Sequence, residues 1–172
     1  MSKVLSKFLN IAFVAVIRGF VISLILLSSI TAYAKDDSFL AEEVVYEMAV
    51  EIGAMYEICP ELLVSIAYQE SRYKVDAVNG HNVGIMQNHD VYNKERMERL
   101  EVTDLYDPYS SMLVAADYLS ELKAKYQDIG AVLMVYHGER GVQKYLDGKK
   151  GLSKYANEIL ERSEEMERKN KK

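Results

Sequence analysis

Tryptophan is absent from this 172-residue chain, cysteine occurs once, proline twice and histidine three times. The single cysteine, Cys59, leaves no internal disulfide possible, so a hydrophobic core must hold the fold. It stands just before Pro60 at a helix start and reads as a small buried residue, not a nucleophile. The histidines are His81, His89 and His137, and no two have the i, i+4 spacing of metal ligands, so neither a metal nor a cofactor is expected. Positive charge is also scarce, with 21 Lys and Arg against 26 Asp and Glu. An acidic chain excludes nucleic acid and anionic membrane surfaces as natural partners. No internal repeat appears, and no alternation marks a sheet. What remains, 49% hydrophobic and 27% charged residues, is ordinary for a globular domain. The length suits one domain with appendages.

Acidic residues are missing altogether from the first 34 positions. Lys3, Lys7 and Arg18 supply positive charge, and Phe20 to Leu27 is apolar apart from Ser23. Small residues then end in Ala32-Tyr33-Ala34. A basic region, an apolar core and an A-x-A site together read as a secretory signal peptide. The alternative is an uncleaved anchor, because Ile11 to Ile17 lengthens the apolar stretch. Arg18-Gly19 interrupts it, however, and a span needs about 20 apolar residues. Cleavage is therefore expected over anchoring, giving an exported protein that meets a membrane only through this segment. Without it the chain keeps 18 basic and 26 acidic residues, a net charge of −8. The expected division is residues 1–34 as leader, 35–165 as the domain and 166–172 as a charged tail.

Helical periodicity dominates the domain. Leu40, Val44, Met48, Ile52 and Met55 mark a helix over 38–57, with Ser38 as its cap and Glu42 and Glu43 near its start. Pro60 opens a second helix running to about Arg72. Residues 73–91 lose the period and are punctuated by Asn79-Gly80 and Gly84, which predicts a long loop with a small irregular hairpin. Such loops within compact domains are usually functional. A short helix follows over Lys94–Leu100. Asp107-Pro108 starts the longest later helix, whose buried stripe is Met112, Ala115, Ala116, Leu119 and Leu122. Asp128 begins another that ends by Gly138, a short one spans Gly141–Leu146, and Ser153 caps a last one. From Glu161 onward the charge density predicts fraying, a solvated end. The fold class is mainly α.

One carboxylate stands out. Leu63, Ile66 and Ala67 lie seven, four and three residues before Glu70, a spacing that stacks all four on one face of the second helix. Charged residues rarely occupy such an apolar stripe unless paired. Glu70 also falls near the helix C-terminus, where the macrodipole disfavours negative charge. Both effects raise its pKa, and a carboxyl still protonated near neutral pH is suited to general acid chemistry.

Glu70-Ser71 followed by Gly84-Ile85-Met86-Gln87 resembles the signature of the soluble lytic transglycosylases, the catalytic domain shared with goose-type lysozyme (glycoside hydrolase family 23). Further elements arrive in that family's order: Asp107-Pro108-Tyr109 with Ala115 to Leu122, then Val135-Tyr136-His137-Gly138, then Tyr155 to Leu160. The resemblance spans roughly residues 43–161. It implies a lysozyme-like helical domain that cuts the β-1,4 bond between N-acetylmuramic acid and N-acetylglucosamine in peptidoglycan. Glu70 would act as acid and then as base, leaving a 1,6-anhydro product. Two carboxylates serve ordinary glycosidases, but a substrate that supplies its own nucleophile needs one.

By the same resemblance Ser71 would bind substrate or hold the loop, and Met86 and Gln87 would contact the glycan and fix the loop's shape. Tyr136 resembles a tyrosine whose hydroxyl lies near the catalytic Glu, and Tyr155 a late tyrosine of the groove. Three positions depart from the pattern: His137 stands where Asn is usual, Asn79 where a substrate-contacting Ser is common, and Glu139 where the residue is small. Two other readings compete. One is a hydrolysing goose-type muramidase using Asp76, Asp90 or Asp104 to place water. The other is a non-catalytic wall-binding domain of the same fold. The expected partner is peptidoglycan glycan strands, with conjugation, secretion or phage machinery compatible.

Overall fold

The computed structural model describes residues 38–171, so the expected leader lies outside the described residues. Seven helices and a three-stranded antiparallel sheet follow in the order α1 (Glu42–Tyr56), α2 (Pro60–Ser71), β1 (Val78–Asn79), β2 (Asn82–Val83), β3 (Asn88–His89), α3 (Lys94–Arg99), α4 (Pro108–Tyr126), α5 (Ile129–Tyr136), α6 (Val142–Leu146) and α7 (Lys154–Asn170). The mainly α class and the small hairpin inside the long loop are both as expected.

The core is built around α2. Every residue from Glu61 to Ala67 is buried, so this helix is covered on all sides. α7 and α1 pack on it, α4 packs on α1 and α5, and α5 meets α7. The expected stripe of α4 is buried in full. Asp107 caps that helix by accepting the Ser110 N–H at 2.7 Å, and Asp128 and Ser153 cap α5 and α7 in the same way.

Two expectations need correction. The buried face of α1 is Val45, Ala49, Ile52 and Gly53, while Val44 and Met55 are exposed. The N-cap is Ala41 rather than Ser38, and the Ser38 carbonyl instead receives the Val75 N–H at 2.8 Å. Periodicity offered two adjacent stripes in this Val- and Met-rich segment, and the position of α2 selected the other one. The C-terminal end does not fray either. α7 stays helical to Asn170, so no tail begins at 166. Ser163 is buried, Met166 packs on the core, and the Asn170 amide donates to Glu61 Oε1 at 2.9 Å. The charges of α7 lie on one face, leaving a second face free to dock.

Glu61 shows how that end is held. Burial alone would raise its carboxyl, yet hydrogen bonds from the Cys59 thiol, the Asn170 amide and the Tyr46 hydroxyl hold it down to about 2. Burial in turn pushes the Cys59 thiol up to about 11, which keeps it protonated and unreactive at neutral pH.

Candidate active site

α2 ends at Ser71, and Arg72 and Tyr73 both take left-handed φ values, 56° and 68°, that turn the chain back over the helix end. The loop that follows is fastened by side chains rather than by long strands. Ser71 donates its hydroxyl to Ile85 O at 2.8 Å. The Ser111 hydroxyl on α4 accepts the Met86 N–H at 3.3 Å and the Asn88 amide at 3.0 Å. Gln87 turns its amide inward to Gly84 O at 2.9 Å and Ala77 O at 3.1 Å. Gly84 has φ +77°, and a Cβ there would sit 2.0 Å from Leu105 O, so both the conformation and the close approach demand glycine.

A cleft of about 640 Å³ opens beside this loop, and Glu70 lines it. Of the other expected site residues, Asn79, Gln87, Tyr136 and His137 share that lining. Ser71, Met86 and Tyr155 stand behind the surface. Met86 is fully buried, its side chain in the core and its carbonyl taking the Tyr136 hydroxyl at 2.9 Å. Ser71 is likewise committed to the loop. Of the two roles expected for each, holding the loop is the one their contacts serve. The Gly138 turn (φ +75°) closes α5, with the Glu139 N–H returning to Met134 O at 2.9 Å, and Tyr136 and His137 are presented at that end.

The hydroxyl that reaches Glu70 belongs to Tyr155, which donates to Glu70 Oε1. Tyr136 was expected beside the catalytic Glu; its hydroxyl is bonded to Met86 O, though Glu70 still acts on it electrostatically. The His137 ring stacks on the Tyr155 ring, 3.9 Å between centroids and 23° from parallel. Three influences set the acidity of Glu70. Burial is the largest and raises its pKa; the Tyr155 hydrogen bond and the electrostatic influence of His137 work against it. The net direction is upward, as the helical stripe predicted.

Of the two carboxylates that line the cleft, Glu121 is ion-paired with Arg96 at 2.5 Å. Among the described residues Glu70 has a tyrosine hydroxyl for a partner and no ion pair with Lys or Arg. Asp76, Asp90 and Asp104 do not line the cleft: Asp76 pairs with Lys74, Asp90 bonds His81, and Asp104 accepts the Tyr106 N–H. The rest of the wall comes from α3 and α4, which no local sequence pattern connects to the site. There Asp117 binds both Arg96 and Arg99, each at 2.7 Å, and Arg99 first, then Arg96, holds its carboxyl below the usual range. Arg96 lies 4.7 Å from the centre of the Tyr118 ring. His89 and Tyr92 complete the rim, and only the Gly- and Asn-rich character of their loop hinted at it.

The arrangement offers one half-buried carboxyl of raised pKa, fixed by a tyrosine hydroxyl, facing a cleft furnished mainly with neutral amide and hydroxyl groups. That set can donate a proton to a bound neutral ligand and take one back. No curated protein matches the chain. Among solved structures, the X-ray structure of an inactive Glu-to-Gln mutant of the lytic transglycosylase Slt from Pseudomonas aeruginosa is similar, with a TM-score of 0.58 at 18% identity. The match covers 68% of this chain and 23% of that one, and it shows a shared fold. The family model described as the transglycosylase SLT domain matches residues 47–157, from α1 into α7 and across every element of the cleft. The chain belongs to the transglycosylase SLT domain family.

Proposed function

We propose that this protein is a peptidoglycan lytic transglycosylase with Glu70 as its acid and base. In the first step the Glu70 carboxyl gives its proton to the glycosidic oxygen as the bond from the N-acetylmuramic acid anomeric carbon breaks. The N-acetylglucosamine leaving group departs with a free 4-hydroxyl. The Glu70 carboxylate then takes the proton of the muramoyl 6-hydroxyl, whose oxygen bonds to the anomeric carbon. The product is a 1,6-anhydro sugar, water is not consumed, and Glu70 ends protonated as it began. Both steps ask for one carboxyl whose pKa lies close to working pH.

The observation that carries this reading is the state of Glu70: half-buried, raised in pKa, without a Lys or Arg ion pair among the described residues, and facing the cleft. The absence of Asp76, Asp90 and Asp104 from the cleft lining argues for an internal nucleophile over a positioned water. The many neutral amides of the lining suit hydroxyl and N-acetyl groups. The N-terminal segment, if cleaved as a signal peptide, would deliver the domain to the wall that holds its substrate. Mass spectrometry of purified peptidoglycan after digestion tests the proposal. Muropeptides with 1,6-anhydro ends, lighter by one water than their reducing counterparts, are expected. Reducing ends alone would make the enzyme a muramidase, and no cleavage at all would leave a wall-binding domain.

A further inference from the structure

At the rim of the cleft three rings form a ladder. His81 and His89 stack with centroids 5.2 Å apart, and His89 and Tyr92 stack at 4.0 Å, both pairs within 23° of parallel. The ladder is braced at each level. His81 Nδ1 meets Asp90 Oδ1 at 3.0 Å, and His89 Nδ1 accepts the Tyr92 backbone N–H at 3.3 Å. Beneath it, the Asn93 amide donates to His89 O at 3.1 Å, holding the turn between β3 and α3. Tyr92 at the end of the ladder is 81% exposed and joins no core cluster. A large aromatic ring kept flat in water by its own stack is not explained by stability. Yet the same residue lines the cleft that holds Glu70.

We infer that Tyr92, held by His89, is an aromatic platform for the face of one N-acetylhexosamine ring of the bound glycan strand. The axial C–H groups of a β-linked sugar form an apolar face that packs on an aromatic ring, while its equatorial hydroxyl and N-acetyl groups point outward to polar partners. The cleft supplies both halves. Tyr92 gives the flat apolar surface, and Asn79 and Asn82 give neutral polar groups along the same lining. Because the stack fixes the ring before ligand arrives, little side-chain freedom is lost on binding. Charge is not the attraction: Arg96 is already committed to Asp117 and Glu121. Tyr92 thus recognises the apolar face of a sugar ring, and His89 is a positioning residue acting through it.

This inference rests on the glycan-cleaving reading of the same cleft, so its test is a binding measurement that needs no turnover. The full chain carrying Glu70→Gln is titrated calorimetrically with an N-acetylglucosamine hexasaccharide, alone and with changes at the ladder. Tyr92→Ala should weaken binding about three- to tenfold, the range of one aromatic contact. Tyr92→Trp should restore it. His89→Ala should weaken it and His89→Phe, which keeps the stack, should not. Equal affinity for Tyr92→Ala, or no binding by the parent protein, overturns the platform. Failure of the wild-type chain to release anhydro-muropeptides overturns the proposed reaction instead, and leaves the binding result to be judged by itself.

Discussion

Tyr155→Phe isolates the hydrogen bond that tempers the acid. The ring is 9% exposed and belongs to the main core, so phenylalanine keeps its packing and the His137 stack while removing one oxygen. That oxygen carries the proton donated to Glu70 Oε1. A hydrogen bond to a charged group contributes about 1.5–3 kcal/mol. If the bond served the carboxylate alone, its loss would raise the Glu70 pKa by the equivalent of that whole energy. The hydroxyl retains some interaction with the neutral carboxyl, so the rise is set by only part of that energy. Burial then acts with less opposition, and the alkaline limb of the pH–activity profile, where Glu70 loses its proton, moves upward by that amount. Carboxyl carbon shifts of labelled Glu70 followed by NMR read the same titration without turnover. His137→Asn removes the other opposing influence and should shift the limb the same way by less, because the exposed imidazole is screened by solvent. A limb that stays still, or falls, refutes the reasoning. A fall would mean that protonated Glu70 donates to Tyr155 and that the hydroxyl stabilises the neutral form.

Glu70→Gln should lower turnover by about 10²- to 10⁴-fold, the usual share of one acid–base group. The same variant should unfold at higher temperature than wild type at neutral pH. The folded pKa of Glu70 is raised, so its ionisation above that value weakens the native state, and the difference should vanish below about pH 4. Calorimetric scans across that range check the sign. Gly84→Ala should cost more than about 2 kcal/mol in denaturant unfolding, since a left-handed φ and the clash with Leu105 O act together, and cleavage should fail with the loop. Glu61→Gln concerns the opposite case, a depressed carboxyl. Wild type should be the more stable above about pH 4.5, with the advantage lost as pH falls toward 2, and chemical denaturation at stepped pH would show it. An advantage that survives at pH 2 would remove Glu61 from the account of how α7 is held.

Much of the site was legible because it is written in local patterns. Glu70 declares itself through Leu63, Ile66 and Ala67, all fully buried, and a helical stripe needs only neighbours within seven residues. Gly84 and the Asn79-Gly80 turn announced the loop for the same reason. Roles were harder than places. The family pattern points to both Tyr136 and Tyr155, but which hydroxyl reaches Glu70 depends on how α5 and α7 approach α2. Tyr155 is 85 residues from Glu70 in the chain, and no spacing rule links them. The same limit hid the wall formed by Arg96, Tyr118 and Tyr92.

The two misplaced expectations share that cause. α1 carries Val44 and Val45 side by side, and its periodicity could not say which of them faces α2. The C-terminal segment looked solvated because nine of its last twelve residues are charged, and the exceptions include Met166 and Asn170. Those two, with Ser163, are the contacts that dock it. The sequence by itself determined the helices, the caps of α4, α5 and α7, the glycine turns and the upward direction of the Glu70 pKa, since each depends on residues within a turn or two. Only the tertiary structure decided which hydroxyl tempers that acid, which aspartates stay away from it, and that a three-ring ladder stands at the cleft's edge. Those are products of packing between distant segments, which local periodicity does not encode.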